Sequence, residues 1–166
     1  MKKYLSAFVV ILTTLSCSNA QDNKQFSKEA LSKNLITLEN KQLNFAEILK
    51  KHQGKVTVIE VWASWCSDCV KAMPKLKELQ ANHPKVDYVF ISMDKTADKW
   101  KAGIEKHEIK GDHYMANDQM KGVFGKAIDL DWIPRYIIID KKGKIVRYRA
   151  IETDFAAIDE TLKSLN

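Results

Sequence analysis

Cysteine is scarce in this chain: three among 166 residues. So small and odd a number argues against a fold stapled by several disulfides. Long apolar runs are missing too. After Leu15 nothing approaches the roughly 20 apolar residues that a membrane-spanning helix needs. Basic residues outnumber acidic ones by 27 to 21, for a formal charge of +6. Yet no basic run alternates with aromatics, as a single-strand nucleic-acid binder would require. The lysines are scattered, which describes a solvated surface and no nucleic-acid partner. Histidine is sparse, and His52, His83, His107 and His113 stand at no ligand spacing. Zinc normally takes four ligands, so no metal is expected, and each histidine is expected at the surface.

What is present reads as globular. The chain is 45% hydrophobic and 29% charged, and it is long enough to bury a core unaided. Its first residues carry a different pattern. Lys2 and Lys3 precede an apolar stretch, Leu5 to Leu15, of the length used by export signals. Residues 1–20 are therefore expected to be a signal. Two cleavage sites compete. "TLSC" is similar to a bacterial lipobox, with Cys17 as the acylated residue, although Thr14 departs from the usual leucine. "SNA" would place cleavage after Ala20. The lipoprotein reading is preferred, because a cysteine there has no other evident use. Residues 21–33 would then be a polar tether holding one loose helical turn, and 34–166 the folded domain. An envelope location follows, with membrane contact through the lipid.

Within the domain the pattern alternates. "LITL" and "QLNF" flank Glu39-Asn40-Lys41 and predict a hairpin. "FAEILKKH" predicts a short helix ended by Gly54. Val56 to Trp62 is a β-branched run suited to a strand buried on both faces, broken only by Glu60. Cys69, Ala72, Met73, Leu76 and Leu79 sit at helical spacing, with Pro74 inside and a kink expected there. Val86–Met93 predicts a strand and "ADKWKAGIEKH" a helix. "HYMA" and "QMKGVFGKAI" give weak strand and helix signals. "YIIID", the turn "KKGK" and "IVRYRA" predict a hairpin, and a closing helix follows with Asp154 as its cap. The order implies an α/β fold, a central mixed sheet with helices on both faces.

Cys66 is placed at the end of the buried strand and Cys69 in the first turn of the next helix. The first amides of a helix have no internal partner, and its dipole puts partial positive charge there. A thiolate at that point is stabilised, so Cys66 becomes a nucleophile at neutral pH. The spacing brings the second sulfur within disulfide reach. Cys66 would attack a substrate disulfide, and Cys69 would resolve the mixed disulfide. A permanent disulfide and a zinc site are the bland alternatives. Closing so short a loop removes little chain entropy, and a second ligand pair is missing.

"VWASWCSDC" resembles the active-site segment of the thioredoxin superfamily. With the lipobox-like leader, "DKTADKW" and "WIPRYIIIDKKGKIV", the chain is most similar to the TlpA-like thiol–disulfide oxidoreductases of bacterial envelopes. The resemblance covers Leu35 to Asn166. It implies a thioredoxin-like fold, Cys66 as nucleophile and Cys69 as resolving cysteine. It also implies that Trp65 lines the substrate groove and that Pro134 is a cis-proline facing the sulfurs. The backbone of Ile133 would offer hydrogen bonds to an extended substrate segment.

Glu60 matches the buried acid beneath the active site, normally aspartate. Its unpaired carboxylate in a dry strand should have a raised pKa and could take the Cys69 proton. The implied partners are protein disulfides and an upstream envelope dithiol donor. No cofactor is expected, and the chain is expected to be monomeric. Ser67-Asp68 departs from the Gly-Pro or Glu-Pro common between the cysteines. A charge at Asp68 disfavours the thiolate, which points to a reductant. A peroxiredoxin-like peroxidase, or a non-enzymatic binding domain on the same fold, are the competing readings.

Overall fold

The structure is a computed structural model that describes residues 25–165. The export signal, Cys17 and both cleavage sites lie outside the described residues. The described chain runs α1 (Lys28–Leu31), β1 (Asn34–Thr37), β2 (Gln42–Asn44), α2 (Phe45–Lys51), β3 (Thr57–Trp62) and α3 (Ser67–Asn82). It continues with β4 (Asp87–Ser92), α4 (Ala97–His107), β5 (Asp112–Met115), α5 (Val123–Ala127), β6 (Arg135–Ile139), β7 (Ile145–Ala150) and α6 (Phe155–Leu165). The strands form one mixed sheet in the order β2-β1-β5-β4-β3-β6-β7. β3, β4 and β5 are parallel, and β6 lies antiparallel to β3.

The register explains the burial. Every residue of β3 is buried, as are all five of β6, because both strands lie inside the sheet with helices on each face. Alternation sends Glu60 and Trp62 to one face and Val61 to the other. On the Glu60 face, Tyr136 meets Phe155 of α6 at 5.3 Å, and α6 in turn contacts α3. On the other face α1, α2 and α5 contact one another. Phe45 of α2 takes Phe124 of α5 edge-on at 5.2 Å and Phe26 at 4.8 Å. Ala30 and Phe26 thus pack into the core from a segment whose sequence is mostly polar. Each large apolar side chain so buried contributes about 1.5–3 kcal/mol.

Local chemistry sets the ends of the elements. Asn44 and Glu47 form a reciprocal capping box at the start of α2. Thr96 caps α4, which ends in a left-handed turn at Glu108. Asp154 caps differently from the expectation. Its carboxylate accepts from the Ile151 N–H at 2.9 Å, holding the turn before α6, and its carbonyl accepts from Ile158. The weakly signalled β5 and α5 are both present. In α5, a Cβ at Gly125 would run into the Met120 carbonyl, so glycine is required there despite its low helix propensity.

The histidines correct a second expectation. His52, His83 and His113 are buried, not on the surface. Each has a polar partner that makes burial tolerable. His52 Nδ1 lies 2.8 Å from Asp87, His83 Nε2 2.7 Å from Asp159, and His113 Nε2 3.0 Å from the Ile109 carbonyl.

Candidate active site

The cysteine pair lies at the C-terminal end of the parallel strands, where ligands gather in open α/β sheets. β3 ends at Trp62, four residues before Cys66 rather than at it. Ala63, Ser64 and Trp65 form a turn closed by a 3.1 Å hydrogen bond from the Cys66 N–H to the Ala63 carbonyl. Cys66 is therefore the N-cap of α3, in extended conformation, and Cys69 sits in the first turn. The two are joined as a disulfide with their Cα atoms 5.3 Å apart.

The environment of the two sulfurs differs. Cys66 Sγ receives the backbone N–H of Cys69 at 3.1 Å, one of the amides left free at a helix start. The Ile133 carbonyl oxygen lies 3.6 Å away on the other side. Cys66 keeps 6% of its surface exposed and Cys69 none. Both cysteines are buried, Cys66 the less completely. Asp68, in the same first turn, pairs with Lys71 at 3.7 Å.

The pairing of Val61 with Arg135 sets the strap before β6 against the turn after β3. The Ile133–Pro134 bond in that strap is cis. Trp65 precedes Cys66 and is 57% exposed; Trp132 precedes Ile133 and is 50% exposed. Two large apolar side chains thus stand in solvent, one next in sequence to Cys66 and one next to Ile133, whose carbonyl approaches its sulfur, while Trp62 is fully buried.

Glu60 lies on β3, opposite Tyr136 of β6. Its carboxyl is buried, and burial raises its pKa from 4.5 to about 8. A hydrogen bond from the Tyr136 hydroxyl to Oε1, at 3.3 Å, partly opposes that rise. Oε2 has no hydrogen-bond partner among the described residues.

Two charged residues near the site escaped the reading of the sequence. Asp94, just past β4, is fully buried and bonded to Ser64. Arg135, directly after the cis-proline, is buried and paired with Asp131. A charge interrupting an apolar run is the signal that marked Glu60, and Arg135 carries the same signal before "YIII". A cleft of about 490 Å³ lies elsewhere, at the opposite end of the sheet, lined by His52, His83, Asp87 and Lys110. It begins where β4 begins, and so stands a sheet's length from the sulfurs.

The thioredoxin-like family profile matches residues 54–145, more than half of the chain and all of the cysteine turn and strap. The chain belongs to the thioredoxin-like family. Thiol-disulfide oxidoreductase ResA of Bacillus thuringiensis subsp. konkukian is 24% identical to this thioredoxin-like chain over 178 aligned residues, 99% of each protein. A ResA of Bacillus cereus is 26% identical over 159 residues, 88% of each. A thiol-disulfide oxidoreductase from Bacteroides fragilis superposes with a TM-score of 0.69 at 22% identity, over 84% of this chain and 100% of that one. That structural likeness is one of fold. The family profile and the names of the relatives agree with the resemblance to TlpA-like oxidoreductases of the thioredoxin superfamily.

Proposed function

We propose that the chain is a thiol–disulfide oxidoreductase of the cell envelope that reduces disulfides in proteins. The observation that carries this reading is the arrangement at Cys66. A helix-start amide 3.1 Å from the Cys66 sulfur, and a partner cysteine more fully buried than Cys66, suit an attacking and a resolving thiol.

The reaction runs in two exchanges. The Cys66 thiolate attacks one sulfur of a substrate disulfide, forms a mixed disulfide and expels the other sulfur as a thiolate. Cys69 then loses its proton to the Glu60 carboxylate and attacks the Cys66 sulfur. The Cys66–Cys69 disulfide forms and the second substrate thiol leaves. Two electrons have passed to the substrate, and an envelope dithiol donor restores them. Trp65 and the Ile133 backbone hold the substrate segment in extended form across cis-Pro134.

The reducing direction rests on Asp68. A carboxylate in the first turn opposes the Cys66 thiolate, which destabilises the dithiol form and lowers the potential. The envelope location and lipidation at Cys17 rest on the leader sequence. No helix among the described residues is long and apolar enough to cross a membrane.

The test is a Cys69→Ser trap in the full chain. Mixed disulfides should accumulate on Cys66 and yield substrate peptides to mass spectrometry, while Cys66→Ser accumulates none. Equal, empty lanes for both variants would sink the reading.

A further inference from the structure

We propose that Asp94 is a positioning residue for the Cys66 sulfur, gripping Ser64 and so fixing the turn that delivers Trp65 and Cys66 to the start of α3. The inference rests on the redox reading above, to which it adds a residue that touches neither sulfur.

Asp94 has no exposed surface. A carboxyl group taken out of water is costly unless its oxygens are hydrogen-bonded. Here they are, and two of the three donors belong to one residue. Oδ2 accepts the Ser64 N–H at 3.0 Å, and Oδ1 accepts the Ser64 hydroxyl at 2.7 Å. The Ser92 hydroxyl supplies the third bond at 2.8 Å, while the Asp94 N–H donates back to Ser92 Oγ at 2.9 Å. Asp94 is thereby anchored to the end of β4. Next to it, the Met93 N–H donates to the Trp62 carbonyl at 2.8 Å, tying β4's end to β3's.

Ser64 is the second residue of the turn that ends in Cys66, so a grip on both its amide and its hydroxyl fixes the turn's orientation. The opposite flank is closed by α4. A Cβ at Gly103 would stand 2.8 Å from Ser64 Cβ and 3.1 Å from Trp62 Cη2. Ser64 is therefore held between a carboxylate and a helix backbone that approaches as closely as glycine allows. An apolar side chain at position 94 would fill the space without the desolvation cost, but it would leave the Ser64 N–H and hydroxyl unpaired. What the carboxylate supplies is direction. It fixes the two residues that follow Ser64, and with them the 3.1 Å approach of Cys66 Sγ to the Cys69 amide.

The experiment is site-resolved alkylation of the dithiol-reduced full chain with iodoacetamide, followed against pH by mass spectrometry. Ser64→Ala keeps the carboxylate and removes one arm of the clamp. Asp94→Asn keeps the size and removes the charge. Loss of a negative charge alone would favour the thiolate and move the alkylation midpoint to lower pH. Loss of positioning moves it higher, because the sulfur leaves its amide. Both variants are expected to shift upward, with alkylation at pH 7 slowed about fivefold, the factor typical of one hydrogen bond. An unchanged or lower midpoint in either folded variant overturns the proposal. If Asp94→Asn does not fold, Ser64→Ala decides alone. Failure of the redox reading shows separately, as a wild-type disulfide that does not cycle with dithiol reagents.

Discussion

Tyr136 donates its hydroxyl to Glu60 Oε1 across 3.3 Å, in the middle of a sheet whose neighbouring residues are apolar. The contact holds the carboxyl in place without neutralising the cost of burying it. Burial lifts Glu60 to about 8 and drives the Tyr136 hydroxyl far above its ordinary range, with the Glu60 charge adding to the latter. The phenol therefore stays a donor while the carboxyl changes state near neutral pH.

Stability should follow that carboxyl. Its folded pKa lies above its unfolded one, so between about pH 4.5 and 8 the folded chain binds the extra proton. Its favourable contribution is complete below the unfolded value and is lost as pH rises toward 8. Urea unfolding of the oxidised protein should show stability falling by roughly a few kcal/mol across this window. Glu60→Gln should flatten the slope and be the more stable protein at pH 8. A wild-type profile as flat as the variant's would place Glu60 in water.

Glu60→Gln also separates the two chemical steps. The first exchange involves the Cys66 sulfur and not the Cys69 proton, so mixed-disulfide formation should keep its rate. Resolution needs a proton acceptor for Cys69 and should slow about 100-fold, as loss of general-base assistance typically does. Stopped-flow traces with a fluorescent disulfide would resolve the two phases. Equal slowing of both would assign the effect to folding or access.

Asp68→Asn probes the reducing direction. The side chain sits in the first turn of α3, partly exposed and paired with Lys71. Removing its charge should favour the Cys66 thiolate by about 0.3–1 kcal/mol. The reduction potential should rise by about 5–20 mV, since about 30 mV corresponds to about 1.4 kcal/mol for two electrons. Equilibration against glutathione buffers measures this. A potential that falls instead would remove Asp68 as the source of reducing power.

Much of this site was legible because its signals are local. Val56–Trp62 announces a central strand, Glu60 stands out as its one charge, and Cys66-x-x-Cys69 opens the helical spacing that follows. The cis bond at Pro134 was legible only through the family resemblance, since nothing in its own neighbourhood reports the isomer. The buried histidines were missed because their partners are remote: Asp87 is 35 positions from His52, and Asp159 is 76 from His83. Asp94 reads as an ordinary turn residue after a strand. Its meaning depends on Ser64, 30 positions earlier, and appears only when β3 and β4 lie side by side.

Arg135 gives the last prediction. Its guanidinium is buried, and only its Nη2 is bonded, to Asp131; Nε and Nη1 have no hydrogen-bond partner among the described residues. Asp131 also receives Arg149 at 2.7 Å, and Arg149 reaches Asp129, so the strap before cis-Pro134 is laced to β7. A buried cation with one ligand is held at a cost, and burial depresses its pKa accordingly. The two partners should therefore behave unequally. Asp131→Ala strands the cation and should cost about 2–3 kcal/mol in urea unfolding, less than the roughly 3–5 kcal/mol of a fully buried pair because Asp131 itself is well exposed. Arg135→Met removes the cation at similar volume and should cost about 1 kcal/mol or less, or stabilise. In the Asp131→Ala background, Arg135→Met should then recover most of the loss. Equal costs for the two single variants, with no recovery in the double, would mean that the ion pair itself stabilises the strap.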